Sequence, residues 1–442
     1  MGIDQQQTKV SKFKKWACVH PSPVSTEQEE QKQKMWAEFL TAFINQLPPI
    51  SLYGNEQNGG STSSESQNDE EDVQNNLQED ENDVEDDLPE LPEVAKNISV
   101  PVQDGEGYLI CKTGDWITDR FKIIKQLGDG VFAKVQLVTD SKNLQKFPNA
   151  ETSSKKALKI VRNTRAYKEA ALHEINVLQT LHSADNEEKD GLVPNHLVIK
   201  LLEHFEYFDH ICLVFEPYGL SIFDVLRGND YHPYPLDQIR YIAYQLILAV
   251  KFVHDRGLTH TDLKPENILF VNSDNYELKN RWDKPYEEMG LSRTKRARNR
   301  RRIRVLKDAS IRLIDFGSAV FDHQHHDDTV TTRHYRAPEI ILQNGWSSPC
   351  DIWSIGCILF ELYSGCALFP KMDDIKHLAT MERIVGVIPK TMKRASRLVI
   401  DPDLRISLKV AREHDFFEQL DSNLRVKAET GGNINENAAT NT

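Results

Sequence analysis

Three short runs in fixed order constrain this chain more than its composition does: His260-Thr261-Asp262-Leu263-Lys264-Pro265-Glu266-Asn267, then Asp315-Phe316-Gly317, then Ala337-Pro338-Glu339. The first two supply two carboxylates and an amide, Asp262, Asp315 and Asn267, with 47 residues between Asn267 and Asp315. Groups so distant in the chain act together only where a sizeable core folds them into one cavity. The chain's 442 residues, roughly three times a typical domain, are enough for such a core and for disordered segments besides.

Upstream of these runs, Phe121 to Leu127 and Lys134 to Thr139 read as strands around a glycine turn, Leu127-Gly128-Asp129-Gly130-Val131-Phe132-Ala133-Lys134-Val135. Two glycines let backbone N–H groups close over phosphate oxygens without a Cβ in the way, although an ordinary hairpin has the same look. A third strand, Ala157 to Val161, carries Lys159, which can reach phosphates or stand as a solvated edge residue. A helical pattern from Ala166 to Leu181 sets Glu174 among Leu172, Ile175 and Leu178, placed to meet Lys159 if that face packs inward. His210 to Phe215 is a further strand. After it the pattern turns helical, over Leu236 to Asp255, Asp351 to Ser364 and Ile375 to Val385. A small β-rich lobe followed by a larger helical one is the expectation.

Phosphoryl transfer needs a carboxylate at the attacking hydroxyl and hard oxygen ligands for magnesium. Asp262 supplies the first, Asn267 and Asp315 the second, and Lys264 can neutralise charge on the moving group. With the glycine turn, Lys159 and Glu174 preceding them in order, these residues resemble a eukaryotic protein kinase from about Trp116 to Leu420. Thr261 stands where most kinases carry Arg, and Thr332-Arg333-His334-Tyr335-Arg336 leads into Ala337-Pro338-Glu339. Lys376-His377-Leu378-Ala379-Thr380-Met381-Glu382-Arg383 matches six of the eight positions of the signature Glu-His-Leu-Ala-Met-Met-Glu-Arg. All three features are similar to the LAMMER, or Cdc-like, dual-specificity kinases. Little of the usual lower-lobe insert separates that signature from Asp401-Pro402.

The resemblance implies an α+β bilobal kinase fold with a shortened C-lobe: residues 1–115 mostly disordered, an N-lobe over 116–216, a C-lobe over 217–420 and a flexible tail over 421–442. It implies ATP and Mg2+ as cofactors. Gly128 and Gly130 would cover the phosphates, with Lys159 and Glu174 positioning them. Leu127, Val135, Ala157 and Leu269 would sandwich the adenine, and the hinge Glu216 to Tyr218 would read it past a bulky Phe215. Asp262 and Lys264 would be catalytic and Asn267 and Asp315 would hold metal. Asp351 would anchor the catalytic loop from below, and Arg405 would pair with Glu339. Protein substrates are expected, Arg/Ser-rich splicing factors among them, acted on by a monomer in the nucleus and also the cytoplasm. A pseudokinase scaffold is the alternative. Thr261 cannot clamp a phosphorylated activation loop as Arg does, so activity is expected without loop phosphorylation and after replacing Thr329, Thr331 and Thr332 with Ala. His323, His325, His326, Asp327 and Asp328 read as a solvated loop, since no zinc-ligand spacing organises them.

Charge divides the rest. The formal net charge is −13, yet residues 56–95 hold fifteen Asp or Glu and neither Lys nor Arg. That stretch, with no aromatic residue, cannot bury enough apolar surface to offset ordering and reads as a disordered linker. Before it, Met35, Trp36, Phe39, Leu40, Phe43, Ile44 and Leu47 recur at helical spacing, either a docking helix or a marginal isolated one. Eight of the twelve residues from Arg293 to Arg304 are Lys or Arg, within an insertion. They read as a nuclear-localisation signal or a solvated run; direct nucleic-acid binding is not expected, as no aromatics interleave them. Six scattered cysteines without a Cys-x-x-Cys pair argue for reduced thiols, and no apolar run is long enough to span a membrane or serve as a signal peptide.

Overall fold

The computed structural model describes residues 103–142, 154–183, 195–280, 302–384 and 407–431. The acidic linker, the helix expected around 35–47, most of the basic tract and Arg405 lie outside them. Six strands form one antiparallel sheet in the order β1-β2-β3-β4-β6-β5: β1 (Trp116–Ile117), β2 (Phe121–Asp129), β3 (Ala133–Asp140), β4 (Lys155–Val161), β5 (Glu203–Tyr207) and β6 (His210–Phe215). The helix α1 (Arg165–Leu181) lies between β4 and β5 in the chain.

Period-two alternation sorts the sheet's residues onto two faces. Val138, Leu158, Ile160, Cys212 and Val214 enter one small core with Phe121 and Phe205. The intervening residues, Ala133, Ala157, Val161, Ile211, Leu213 and Phe215, join the main core together with Ala171, Ile175 and Leu178 of α1. Lys159 alternates with Leu158 and Ile160, so the strand itself commits its side chain to the face that α1 covers. The helix answers with its buried stripe, on which Glu174 lies between apolar neighbours.

The larger lobe is built on two buried helices, α3 (Leu236–His254) and α5 (Pro349–Ser364), preceded by the short α2 (Ile222–Gly228) and α4 (Pro338–Ile341). From Ile239 to Val250 every residue of α3 is buried; the two polar ones, Arg240 and Gln245, donate to the Phe416 and Ala309 carbonyls. Gly365 ends α5 in the left-handed region at φ 77°, and a Cβ there would meet the Tyr231 carbonyl oxygen at 2.1 Å, so no other residue fits. Three two-stranded ladders lie between α3 and α4 in the chain: β7 (Leu258–Thr259) with β12 (Val320–Phe321), β8 (Ile268–Phe270) with β11 (Ile311–Leu313), and β9 (Tyr276–Asn280) with β10 (Arg302–Leu306). The β9–β10 hairpin is the described part of the insertion.

Beyond α6 (Asp374–Ile384) and α7 (Leu408–Arg412), a helix, α8 (Ser422–Thr430), stands where a flexible tail is expected. Its sequence is poor in apolar residues, which hides it from periodicity. Tertiary partners hold it: Tyr244 Oη donates to Glu429 at 2.6 Å, Lys427 pairs with Asp308 at 2.6 Å, and Ala428 is buried. Among the described residues no helix is long and apolar enough to cross a membrane.

Candidate active site

The eight-residue run becomes a loop between β7 and β8, closed by a 3-10 turn at Pro265–Asn267. Thr261 takes φ 65°, a left-handed conformation that costs a β-branched residue energy and persists only where neighbours enforce it. Asp351 on α5 enforces it. Its fully buried carboxylate accepts the N–H of His260 at 2.9 Å, the N–H of Thr261 at 3.0 Å and His254 Nε2 at 2.9 Å. His260 Nδ1 accepts the Asp262 N–H at 3.2 Å, so the ring proton sits on Nε2 and is donated to the Ile314 carbonyl at 3.1 Å. The imidazole thus ties the loop to the residue before Asp315, and it packs edge-on against the buried Phe316 at 4.9 Å.

Asp262 leaves this loop half-buried, with both oxygens engaged. Oδ2 lies 2.5 Å from Lys264 Nζ, and Oδ1 accepts from the Thr332 hydroxyl at 2.6 Å. The Asn267 amide nitrogen donates to the Asp262 carbonyl at 2.9 Å and approaches Oδ2 at 3.4 Å, which leaves the amide oxygen as the donor for a cation. β8 pairs with β11 so that Ile314 N–H donates to the Asn267 carbonyl at 3.0 Å, setting Asp315 beside Asn267. Asp315 also takes a left-handed φ, 66°.

Lys159 and Glu174 meet at 2.6 and 2.8 Å, and the same ammonium lies 3.6 Å from Asp315. Burial opposes its charge, but Glu174 and Asp315 together raise Lys159 above the ordinary lysine value. For Asp315 burial pushes up, yet Lys159, with Lys264 adding to it, holds the carboxyl below the usual carboxylate range. Glu174 moves the other way, raised by burial with Asp315 adding to it against the pull of Lys159. The opposite directions are what one ammonium shared by two carboxylates produces.

Asn267 and Asp315 present hard oxygen donors of the kind magnesium takes. Two protein donors fit a cation that draws its remaining oxygens from phosphates and water. Among the described residues no group of three His, Cys, Asp or Glu forms a self-sufficient metal cage. His326 of the histidine-rich loop is spent on packing, stacked on Trp346 at 4.3 Å with Nδ1 near the Trp346 carbonyl.

Above this cluster, register puts Val135 opposite Lys159, Leu137 opposite Ala157, and Ala157 opposite Phe215. Leu127 lies at an irregularity of the β2–β3 ladder between Gln126 and Gly128. Leu269 bridges to Ser221, and Tyr218 is half-buried under Arg312 at 5.5 Å. The Glu216 side chain pairs with Lys156 at 3.0 Å. Neither Gly128 nor Gly130 has a positive φ, and an added Cβ would meet nothing in the protein closer than 3.4 Å, so neither glycine relieves an internal clash. Gly219, not singled out in the sequence, is demanded by the fold: a Cβ there would lie 2.6 Å from the Ser273 nitrogen.

Sequence reading also misses Ser318 and the contact of Thr332 with Asp262. Thr332 holds Asp262, as above; the Thr261 hydroxyl donates to the Ser318 carbonyl at 2.6 Å, fastening the loop between β7 and β8 to the segment after Asp315. Further along, Arg336 donates to the carbonyls of Val330 and Thr331, and Arg333 pairs with Asp374. The expectation that Thr332 can be replaced without harm therefore changes, since its hydroxyl touches Asp262 irrespective of phosphorylation. Hydroxyls bonded across 70 residues leave no local pattern.

A protein kinase domain model matches residues 121–417. The human dual specificity protein kinase CLK2 is 48% identical over 294 residues, covering 66% of this chain and 53% of that protein. The Drosophila melanogaster serine/threonine-protein kinase Doa is 50% identical over 291 residues, 66% of this chain and 31% of that one. The crystal structure of the PF14_0431 kinase domain superposes with a TM-score of 0.58 at 30% identity, covering 71% of this chain and 99% of that chain. This chain spans about half the length of the human relative and a third of the fly one. With Lys159 paired to Glu174 and Asp315, Asp262 bonded to Lys264 and Asn267, and the family model spanning both lobes, the chain belongs to the protein kinase family, among relatives of the LAMMER dual-specificity group.

Proposed function

We propose that this protein is an ATP- and Mg2+-dependent protein kinase of LAMMER type that phosphorylates Ser and Thr, and Tyr when it modifies itself. The observation that carries the reading is Lys159 held between Glu174 and Asp315, while Asp262, Lys264 and Asn267 converge from the other lobe's loop. Asp262 accepts the proton of the substrate hydroxyl as its oxygen attacks the γ-phosphorus and the bond to the β-phosphate oxygen breaks. Lys264 neutralises charge at the same place, and Lys159, oriented by Glu174, holds the α- and β-phosphates. Bound magnesium, on Asn267 and Asp315, would offset the negative charge of the phosphates. The two glycines of the turn fit this role, since no clash within the protein calls for them.

Arg/Ser-rich proteins are the proposed substrates. Glu266 is exposed beside Asn267 and adds its negative charge to the burial that raises Glu361, so a guanidinium there would relieve like-charge repulsion. The basic tract supports a nuclear site of action, with the cytoplasm as the second location. Activity without loop phosphorylation is supported by the contacts of Thr261, Thr332, Arg333 and Arg336, which order the segment with no phosphate. The test incubates the purified full chain with labelled ATP, Mg2+ and an Arg/Ser-rich peptide, before and after phosphatase treatment, beside Asp262→Asn. Incorporation by the wild type alone, kept after phosphatase, is expected; equal incorporation by wild type and variant would overturn the kinase reading in favour of a scaffold.

A further inference from the structure

The glycine turn between β2 and β3 projects from the sheet. Val131 is 63% and Phe132 57% exposed, and beyond the β2–β3 ladder, which ends at Asp129 opposite Lys134, the Gly130 N–H donates to the Ala133 carbonyl at 3.1 Å. A turn of this kind should be loose, because glycine leaves much backbone entropy to be lost on ordering. The segment preceding β1 supplies what the turn lacks. Tyr108 Oη donates to the Val131 carbonyl at 2.6 Å and lies 3.3 Å from the Gly130 carbonyl, at the tip itself.

The phenol is fixed in turn by its ring. Arg162, just past β4, places its guanidinium 4.9 Å from the Tyr108 ring and 5.4 Å from the Tyr167 ring of α1, between two aromatics. Lys134 of β3 lies 4.6 Å from the Tyr108 ring. The Arg162 N–H donates to the Phe132 carbonyl at 3.0 Å, and the Phe132 ring meets Tyr167 edge-on at 5.2 Å. Asn163 N–H donates to the Gly107 carbonyl at 2.8 Å, which anchors the segment just before the tyrosine. The tip, the leading segment and the helix that carries Glu174 are therefore one stacked unit.

We propose that Tyr108 is a positioning residue: it holds the glycine turn in the conformation that receives nucleotide phosphates. The inference rests on the reading of that turn as the ATP cover. A turn ordered beforehand loses less freedom on binding, so the tyrosine acts on affinity for ATP and leaves the chemical step alone. The side chain touches neither phosphate nor reacting atoms, and the hydroxyl and the ring contribute separately.

The test uses the full chain with Tyr108→Phe, which keeps the stack and removes the hydroxyl, and Tyr108→Ala, which removes both. Amide exchange over residues 129–133 is followed without nucleotide, KM for ATP and kcat are measured with an Arg/Ser-rich peptide, and thermal midpoints are recorded. Tyr108→Phe should speed exchange in the turn and raise the KM for ATP about threefold to tenfold, the effect of one net hydrogen bond, with kcat within about twofold. Tyr108→Ala should raise KM further, and the Phe variant, by restoring the ring, should recover part of that loss. Unchanged exchange and KM in both variants would overturn the proposal, as would an Ala variant that loses kcat and thermal midpoint together, the mark of a merely structural residue. Faster exchange in the variants together with a wild type that binds no ATP would instead sink the nucleotide reading and leave the brace standing.

Discussion

The loop from His260 to Asn267, between β7 and β8, and the glycine turn between β2 and β3 are held by opposite means. His260, Thr261, Leu263 and Asn267 are buried, and the loop's backbone is fixed by a charge, Asp351, sealed inside the larger lobe. The turn is exposed at its tip and rests on a surface tyrosine and a cation between rings. Groups proposed to handle a proton must stand within tenths of an ångström of their place, whereas a proposed nucleotide cover must open for its ligand to enter and leave. Buried charge-assisted hydrogen bonds suit the first need and solvent-edge contacts the second.

The contrast can be broken most forcefully at Asp351. Asp351→Ala leaves two backbone donors and His254 unpartnered in the interior, and should lower stability by about 3–5 kcal/mol in urea unfolding while abolishing activity. A midpoint unchanged from wild type would show that the loop does not depend on this anchor. Next in size is a pH effect beneath the loop. Burial, opposed by the Tyr335 hydroxyl and aided by Glu266, raises Glu361 to about 7. The folded state then holds this proton more tightly than the unfolded one, so the stabilisation is complete below the unfolded value near 4.5 and is lost as pH rises through about 7. Thermal midpoints between pH 4.5 and 8 should fall in the wild type along this window and flatten in Glu361→Gln.

Two smaller changes sharpen the comparison. Thr332→Ala removes the hydroxyl on Asp262 and should lower kcat about tenfold, the loss of one charge-assisted hydrogen bond, with KM for ATP unchanged. Thr329→Ala, by contrast, should keep wild-type kcat if loop phosphorylation is dispensable. At the turn, Gly130→Ala adds a methyl with no tight contact inside the protein, so stability should shift by less than about 0.5 kcal/mol while ATP affinity falls. Calorimetric titration with ATP and magnesium would show it; unchanged affinity would mean that the turn stands clear of the phosphates.

Much of this was legible before any coordinate. Alternation put Lys159 on the covered face of β4, and helical spacing put Glu174 on the buried stripe of α1, so their contact at 2.6 Å follows from two local periodicities. Asp262, Asn267 and Asp315 were marked by their order in the chain. The helix α8 was not legible, because its stability comes from Tyr244 and Asp308, far away in sequence. The role of Thr332 was misjudged for the same reason, and Tyr108, in a segment with no pattern of its own, gave no signal at all.

The order of short polar runs and the two periodicities of strand and helix determined which residues are proposed to carry the chemistry and which lobe each belongs to, because both are properties of neighbouring residues. Only the tertiary structure decided what holds them: Asp351 under the loop, Thr332 on Asp262, Ser318 on Thr261 and Tyr108 on the turn. A hydrogen bond between distant segments has no local footprint in the chain, since its two ends are set by packing of elements that fold independently of either residue's identity.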